Sequence, residues 1–223
     1  MLHLPSSAHE IELRNALVEC GRLMYQRKLI TATDGNFSVR LSNGNILITP
    51  AGIAKGRMSP DDMLILNIDG EVISSRPDRK PSTETAMHLE VYKWRENVHA
   101  VIHAHPVFAT TITVANLDFP NDVLPEVMAT LGSVPITEYA TPSSHEDAEA
   151  IRPFLKTHNA VLLRQHGSLT YGKTLEEALI HLERIEHAAE VFWRAKTLGE
   201  VQRIPPEAQK KLMDMREKFF KAD

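Results

Sequence analysis

The sequence predicts an α/β chain whose first half is an antiparallel meander, and three observations lead there. Short apolar runs are joined by Asn43-Gly44 and Asp69-Gly70, pairs that supply the left-handed backbone tight hairpin turns require. Stretches with apolar residues at three- and four-residue spacing precede, follow and separate the strands. No linker, repeat or low-complexity tract divides the 223 residues, 43% of which are hydrophobic. One domain spanning 1–223 around a sizeable core is therefore the expectation.

Taken in order, Leu13, Ala16, Leu17, Cys20 and Met24 set an amphipathic helix over 8–29. Asp34-Gly35-Asn36 breaks it, and FSVRL and NILIT follow as a hairpin through Asn43-Gly44. In the loop TPAGIAKGR, Gly52 and Gly56 permit close backbone approach. MLILNI and EVISS are the next strand pair, turned by Asp69-Gly70. A charged, proline-punctuated loop from Arg76 leads to a helix in STETAMHLEVYKWRE, with Ser82 as N-cap and Met87, Val91 and Trp94 as its buried stripe. The free N–H groups of such a terminus attract anions.

Val98 to Pro106, VHAVIHAHP, is a strand that sets His103 and His105 on one face, since alternate side chains share a side. Pro106 opens a helix in PVFATTITVAN. The stretch 117–142 is irregular around LPEVMATLG, and SSHEDAEAIRPFL is a helix capped by Ser143 or Ser144. NAVLLRQHG runs as a strand into His166, with SLTYG as its hairpin partner. A long helix from Thr174 to about Lys196 opens with Thr174 and Glu177 in capping-box spacing and buries Leu175, Ala178, Leu182 and Ile185. After Gly199 comes a charged helix, PPEAQKKLMDMREKFF, read as a solvated face.

Composition excludes several classes. Twenty-five basic against 29 acidic residues give a net charge of −4, which is no footprint for nucleic acid. The opening MLHLPSSAHE lacks the charged start and apolar core of a signal peptide, and no apolar run approaches the roughly 18 residues of a membrane span. A single cysteine, Cys20, makes the cytoplasm the expected location. Gly167–Thr174, GSLTYGKT, matches the P-loop pattern, but only helices follow it, and a strand, a turn and an N-cap account for its residues.

The remaining chemistry is a metal constellation. His103 and His105 share a face, His166 ends a later strand, and Glu84 sits in the first turn of the preceding helix. Three neutral imidazoles and a carboxylate suit Zn²⁺, with Mn²⁺, Fe²⁺ or Co²⁺ as alternatives. His88, one turn after Glu84, is either a fifth ligand or a residue that orients a neighbour. No carboxylate follows His105 as in a cupin, and the run is not the H-x-H-x-D-H of a metallo-β-lactamase.

DGNFSVR, LITPAGI, PSTE, VIHAHP and the RQHG of Arg164 to Gly167, between Asp34 and about Glu190, resemble the class II aldolase/adducin family of L-fuculose-1-phosphate aldolase and L-ribulose-5-phosphate 4-epimerase. The resemblance implies a three-layer α/β/α domain around a mostly antiparallel sheet, and a homotetramer with active sites at subunit contacts. It implies His103, His105, His166 and Glu84 as zinc ligands, Glu84 also as acid/base, and Asn36, Gly52, Ser82 and Thr83 around a substrate phosphate. The implied activity is that of a zinc-dependent aldolase cleaving or forming a small ketose 1-phosphate through a metal-stabilised enediolate. The products would be dihydroxyacetone phosphate and an aldehyde. The glutamate of PSTE resembles the aldolase branch, the epimerases carrying aspartate there. Two positions depart from the fuculose enzymes: Ala51 replaces a phosphate-holding threonine, and Leu124 stands where a partner subunit's tyrosine is expected, which leaves Glu126 as the nearest ionisable substitute. The C-terminal tyrosine of those enzymes has no counterpart in REKFFKAD. Alternatives are a decarboxylase or dehydratase of a related sugar(-acid) phosphate on the same site, or a non-catalytic adducin-like assembly module.

Overall fold

The computed structural model describes residues 8–219. The readings that rest on Met1–Ser7 and Phe220–Asp223 lie outside them. The strands are β1 (Asn36–Arg40), β2 (Ile46–Ile48), β3 (Leu64–Leu66), β4 (Val72–Ser74), β5 (Ala100–Ala104), β6 (Ala160–Leu163) and β7 (Gly167–Gly172). They form one sheet in the order β4-β3-β2-β1-β5-β7-β6, and each neighbouring pair is antiparallel. The β1–β2 turn follows the hairpin expectation, with Gly44 at φ 85° and its N–H donating to Leu41 O.

Among the described residues the α-helices are α1 (Ala8–Gln26), α2 (Thr85–Trp94), α3 (Val107–Val114), α4 (Pro125–Thr130), α5 (His145–Ile151), α6 (Leu175–Leu198) and α7 (Pro206–Phe219), the last packed on α4. Alternation along the strands sorts side chains to two faces. Phe37, Val39, Leu47, Ala100, Ile102 and Ala104 pack with Leu17 and Met24 of α1 and Ala178 and Leu182 of α6. On the opposite face Val101, Val161, Leu169 and Tyr171 pack with Met87, Val91 and Tyr92 of α2 and Ile151 of α5. A further cluster joins α3, α4 and α6 over Ala160 and Leu162 of β6. The result is the three-layer α/β/α arrangement around a mostly antiparallel sheet, each fully buried large apolar side chain contributing roughly 1.5–3 kcal/mol.

Register fixes which residues meet. Asn36 lies opposite His103, Phe37 opposite Ile102 and Ser38 opposite Val101, so the polar residues of β1 share a face with His103.

Several local expectations change. The first helix stops at Gln26, where Lys28 takes φ 58° and Leu29 N–H returns to Met24 O. Ser82 is not the N-cap of α2; the helix begins at Thr85, and Glu84 holds the cap position at φ −97°, ψ 10°. Trp94 is 43% exposed rather than part of the buried stripe, which runs through Met87, His88, Val91 and Tyr92. Ser144, not Ser143, caps α5. Thr174 accepts from Glu177 N as foreseen, but the Glu177 carboxylate reaches Lys173 N. The P-loop-like segment is strand β7, a turn and this cap. Among the described residues no helix is long and apolar enough to cross a membrane.

Candidate metal centre

Four elements deliver the centre. His103 projects from the buried end of β5, on the α2 side. His105 lies one residue beyond that strand, and Pro106 turns the chain into α3. The chain's exit is anchored, because Glu186 of α6 accepts the N–H groups of Phe108 at 3.0 Å and Ala109 at 2.9 Å. His166 sits in the turn between β6 and β7, after Gln165 at φ 56° whose N–H donates to Thr113 Oγ1. Gly167 is required next to it: a Cβ there would stand 2.3 Å from Ala104 O and 2.8 Å from the His105 ring. Glu84 comes from the non-helical turn ahead of α2, its own N–H taken by Ser82 Oγ at 3.3 Å.

These four side chains converge, with one ligand atom of each lying within 4.8 Å of all the others. His103 Nε2 is 2.9 Å from His105 Nε2, His166 Nε2 is 2.9 Å from Glu84 Oε1, and His103 Nε2 is 3.3 Å from Glu84 Oε2. Bonds of about 2.0–2.1 Å in a tetrahedral zinc site place ligand atoms roughly 3.3 Å apart, so the set fits a divalent cation with small adjustment. The protonation states agree. His103 donates from Nδ1 to Ser168 O at 3.0 Å, leaving Nε2 as a bare lone pair aimed at the cluster. Burial pushes His103 down to about 3, against the pull of Glu84, and lowers His105, helped by His166. Burial opposes ionisation of Glu84, yet the bond from His166, the electrostatic pull of His103 and the Asn36 amide outweigh it and hold the carboxyl well below the usual range. The neutral rings favoured at His103 and His105, beside an ionised carboxylate, are donors a divalent metal takes.

The other sequence-predicted residues divide. Asn36 is nearly fully buried, its amide nitrogen donating to Glu84 Oε2 at 2.7 Å and its oxygen accepting from His88 Nε2 at 2.6 Å. A bridge between Pro50 and Pro81, with Ala51 N–H donating to Lys80 O, brings the glycine loop beside Ser82 and Thr83. Gly52, at φ 72°, has open space where a side chain would project. Thr83 Oγ1 meets Ser143 Oγ at 2.7 Å. Glu126 is exposed in the first turn of α4 and outside the four-residue cluster, with Arg184 of α6 as its electrostatic neighbour.

Sequence reasoning missed Lys55 and Asp34. Lys55 is buried, donates to Thr33 O and Ile53 O at 2.9 and 2.8 Å, and is pushed down to about 8 by burial against the opposing charges of Asp34 and Glu84. Asp34 Oδ2 stands 3.7 Å from His105 Nδ1. The only signal was a lysine between the glycines of a loop, which a surface lysine produces equally well.

Residues 15–193 match the family described as Class II Aldolase and Adducin N-terminal domain. Among relatives, the chain is 32% identical to a 5-deoxy-D-ribulose 1-phosphate aldolase of Bacillus thuringiensis serovar kurstaki, covering 89% of this chain and 92% of the relative. It is 34% identical to a methylthioribulose-1-phosphate dehydratase of Azotobacter vinelandii, over 78% and 90% of the two chains. It is 30% identical to a 3-oxo-tetronate 4-phosphate decarboxylase of Haemophilus influenzae, over 82% and 88%. A solved L-fuculose 1-phosphate aldolase superposes with a TM-score of 0.85 at 29% identity, over 96% of this chain and 98% of that one.

Proposed function

The chain belongs to the class II aldolase and adducin family of metal-dependent lyases, and we propose that it is a zinc-dependent aldolase acting on a small ketose 1-phosphate. The observation that carries this is Glu84, an ionised carboxylate wedged between His166 and Asn36 inside a ligand cluster of three imidazoles. A divalent cation held by His103, His105, His166 and Glu84 would supply Lewis-acid stabilisation for the negative charge that carbon–carbon cleavage beside a carbonyl leaves. In cleavage the bonding electron pair stays on the carbon next to the carbonyl. The hydroxyl on the departing carbon gives up its proton as that carbon becomes the aldehyde. Glu84, ionised at rest, takes up a proton from water and delivers it to the carbon left behind, while the proton lost from the hydroxyl returns to the solvent. Gly52, Ser82 and Thr83 hold the phosphate at the loop ahead of α2, where backbone N–H groups attract an anion. Glu126, exposed on α4, takes the hydroxyl proton across a contact between copies of a homotetramer, each chain acting as one domain in the cytoplasm.

The test is a coupled assay for dihydroxyacetone phosphate across a panel of ketose 1-phosphates, with and without chelator. Release that chelator abolishes and zinc restores is the expected result; Glu84→Gln loses activity on the order of 10²–10⁴-fold. The dehydratase and decarboxylase relatives favour a second reading, in which the same centre expels water or CO₂ from a sugar or sugar-acid phosphate. No release of dihydroxyacetone phosphate, beside CO₂ release from an acid or water loss from a ketose phosphate, replaces the first reading with the second.

A further inference from the structure

Behind the centre a file of buried polar side chains runs from Glu84 through Asn36, His88 and Ser38 to Tyr92, and only one direction of donors satisfies it. Glu84, ionised, can only accept, so Asn36 must turn its NH₂ toward it, at 2.7 Å. That leaves Asn36 Oδ1 facing His88 Nε2 at 2.6 Å, so Nε2 carries the proton. His88 is fully buried and pushed down to about 4, chiefly by burial and against the pull of Glu84; it holds one proton, and Nδ1 is an acceptor. The Ser38 hydroxyl, 2.7 Å away, therefore donates to Nδ1. Tyr92 O–H, at 2.9 Å, donates to Ser38 Oγ. Every donor in the file points toward Glu84.

We infer that His88 is a positioning residue: through Asn36 it fixes the orientation in which the Glu84 carboxylate serves the metal centre. An asparagine amide has two faces of nearly equal shape, and nothing in its packing tells oxygen from nitrogen. The ionised Glu84 admits only the NH₂, and the imidazole secures the same choice from the other side, because a proton at Nε2 admits only the oxygen. With the amide reversed, its oxygen would face a carboxylate oxygen at hydrogen-bond distance, and its NH₂ would meet the Nε2 proton. The cost is an unpaired buried donor and two like dipoles in contact. Asn36 and Glu84 are 48 residues apart, joined across the gap between β1 and α2, so the file also ties the turn that presents Glu84 to the strand opposite His103. The two ring nitrogens of His88 bond to Asn36 and Ser38, so the imidazole reaches the ligands through one amide. The inference rests on the metal-centre reading above.

Two measurements test it. In the metal-free wild-type protein, imidazole ¹⁵N shifts report the His88 tautomer; Nε2–H at neutral pH is expected, and an Nδ1–H tautomer or an imidazolium there overturns the inference. The second compares zinc affinity, by chelator competition, in wild type, His88→Leu and His88→Gln. Leucine fills the space without a donor, whereas a glutamine amide places an N–H near the position of Nε2. His88→Leu should weaken binding about 10–100-fold, the loss usual for a residue that orients a metal ligand, and His88→Gln should recover most of it. Equal weakening in both variants means that only packing matters, and no weakening in either means that Asn36 needs no partner; each overturns the proposal. Wild-type protein that binds no divalent cation removes the metal-centre reading instead, and the tautomer still decides the direction of the file. If the leucine variant does not fold, the tautomer and the glutamine variant's affinity decide.

Discussion

On one face of β1 and β5, Phe37, Val39, Ala100, Ile102 and Ala104 join α1 and α6 in a hydrophobic cluster. On the other, Asn36 and Ser38 hydrogen-bond to Glu84 and to His88 and Tyr92 of α2, and His103 faces the Glu84 carboxylate. The strands are shared, so the difference comes from alternation alone. The first face draws its stability from non-directional burial and tolerates swaps of similar volume. The second gives up much of that stabilisation, since each buried polar group roughly breaks even only when fully partnered. In return it acquires direction, which a hydrophobic cluster cannot supply.

The sharpest way to break the comparison is at the metal end. A His103→Ala, His105→Ala double variant should lose its bound divalent metal altogether, with activity down by on the order of 10³-fold or more, while retaining a cooperative thermal transition. Metal analysis of the purified protein checks this, and unchanged metal content would place the site elsewhere. The apolar face should answer the other way. Phe37→Ala should destabilise the fold by about 3–5 kcal/mol in denaturant titrations, with zinc affinity of the folded fraction unchanged.

Acid distinguishes the faces next. The folded-state value of His88, about 4, lies below its ordinary value, so its contribution to stability is complete above about pH 6.5 and is lost as the pH falls through 4. The unfolded chain takes up a proton there that the folded one refuses, worth roughly 3 kcal/mol for this residue. Melting of the metal-free protein across that window should show the decline, less steep in His88→Gln; equal slopes would mean that His88 titrates normally. The smallest effect belongs to neither face. Thr174→Ala removes the cap of α6 and should cost about 1 kcal/mol in the same melts, without touching metal affinity.

The pair His103 and His105 was legible because strand geometry needs only a two-residue spacing. His166 and Glu84 followed because each stood where a predicted element met a loop. The fold was legible for a similar reason, its turns announced by Asn43-Gly44 and Asp69-Gly70 and its helices by periodicity. What sequence could not supply was any relation between segments. Asn36 was read toward a phosphate, and spacing could not show that both ends of its amide also meet residues about fifty positions away. Ser82 was read as a cap because serine prefers that role, but Glu84 holds the cap position and the helix starts at Thr85. Lys55 was invisible because burial of a lysine is a tertiary fact.

The pairing of Asn36 with His103 makes the sheet its own proofreader. Sliding β1 by one residue along β5 would carry Asn36 and Ser38 under α1 and α6 and swing Phe37 and Val39 against Glu84 and His88. Such a slip strands polar groups in hydrocarbon and greasy groups among unsatisfied donors at the same moment. A chain that has closed this sheet wrongly is therefore penalised twice, and the register that buries the apolar face is the one that sets Asn36 opposite His103. A preparation that shows a native core should therefore contain few molecules in which Asn36 and His103 are parted.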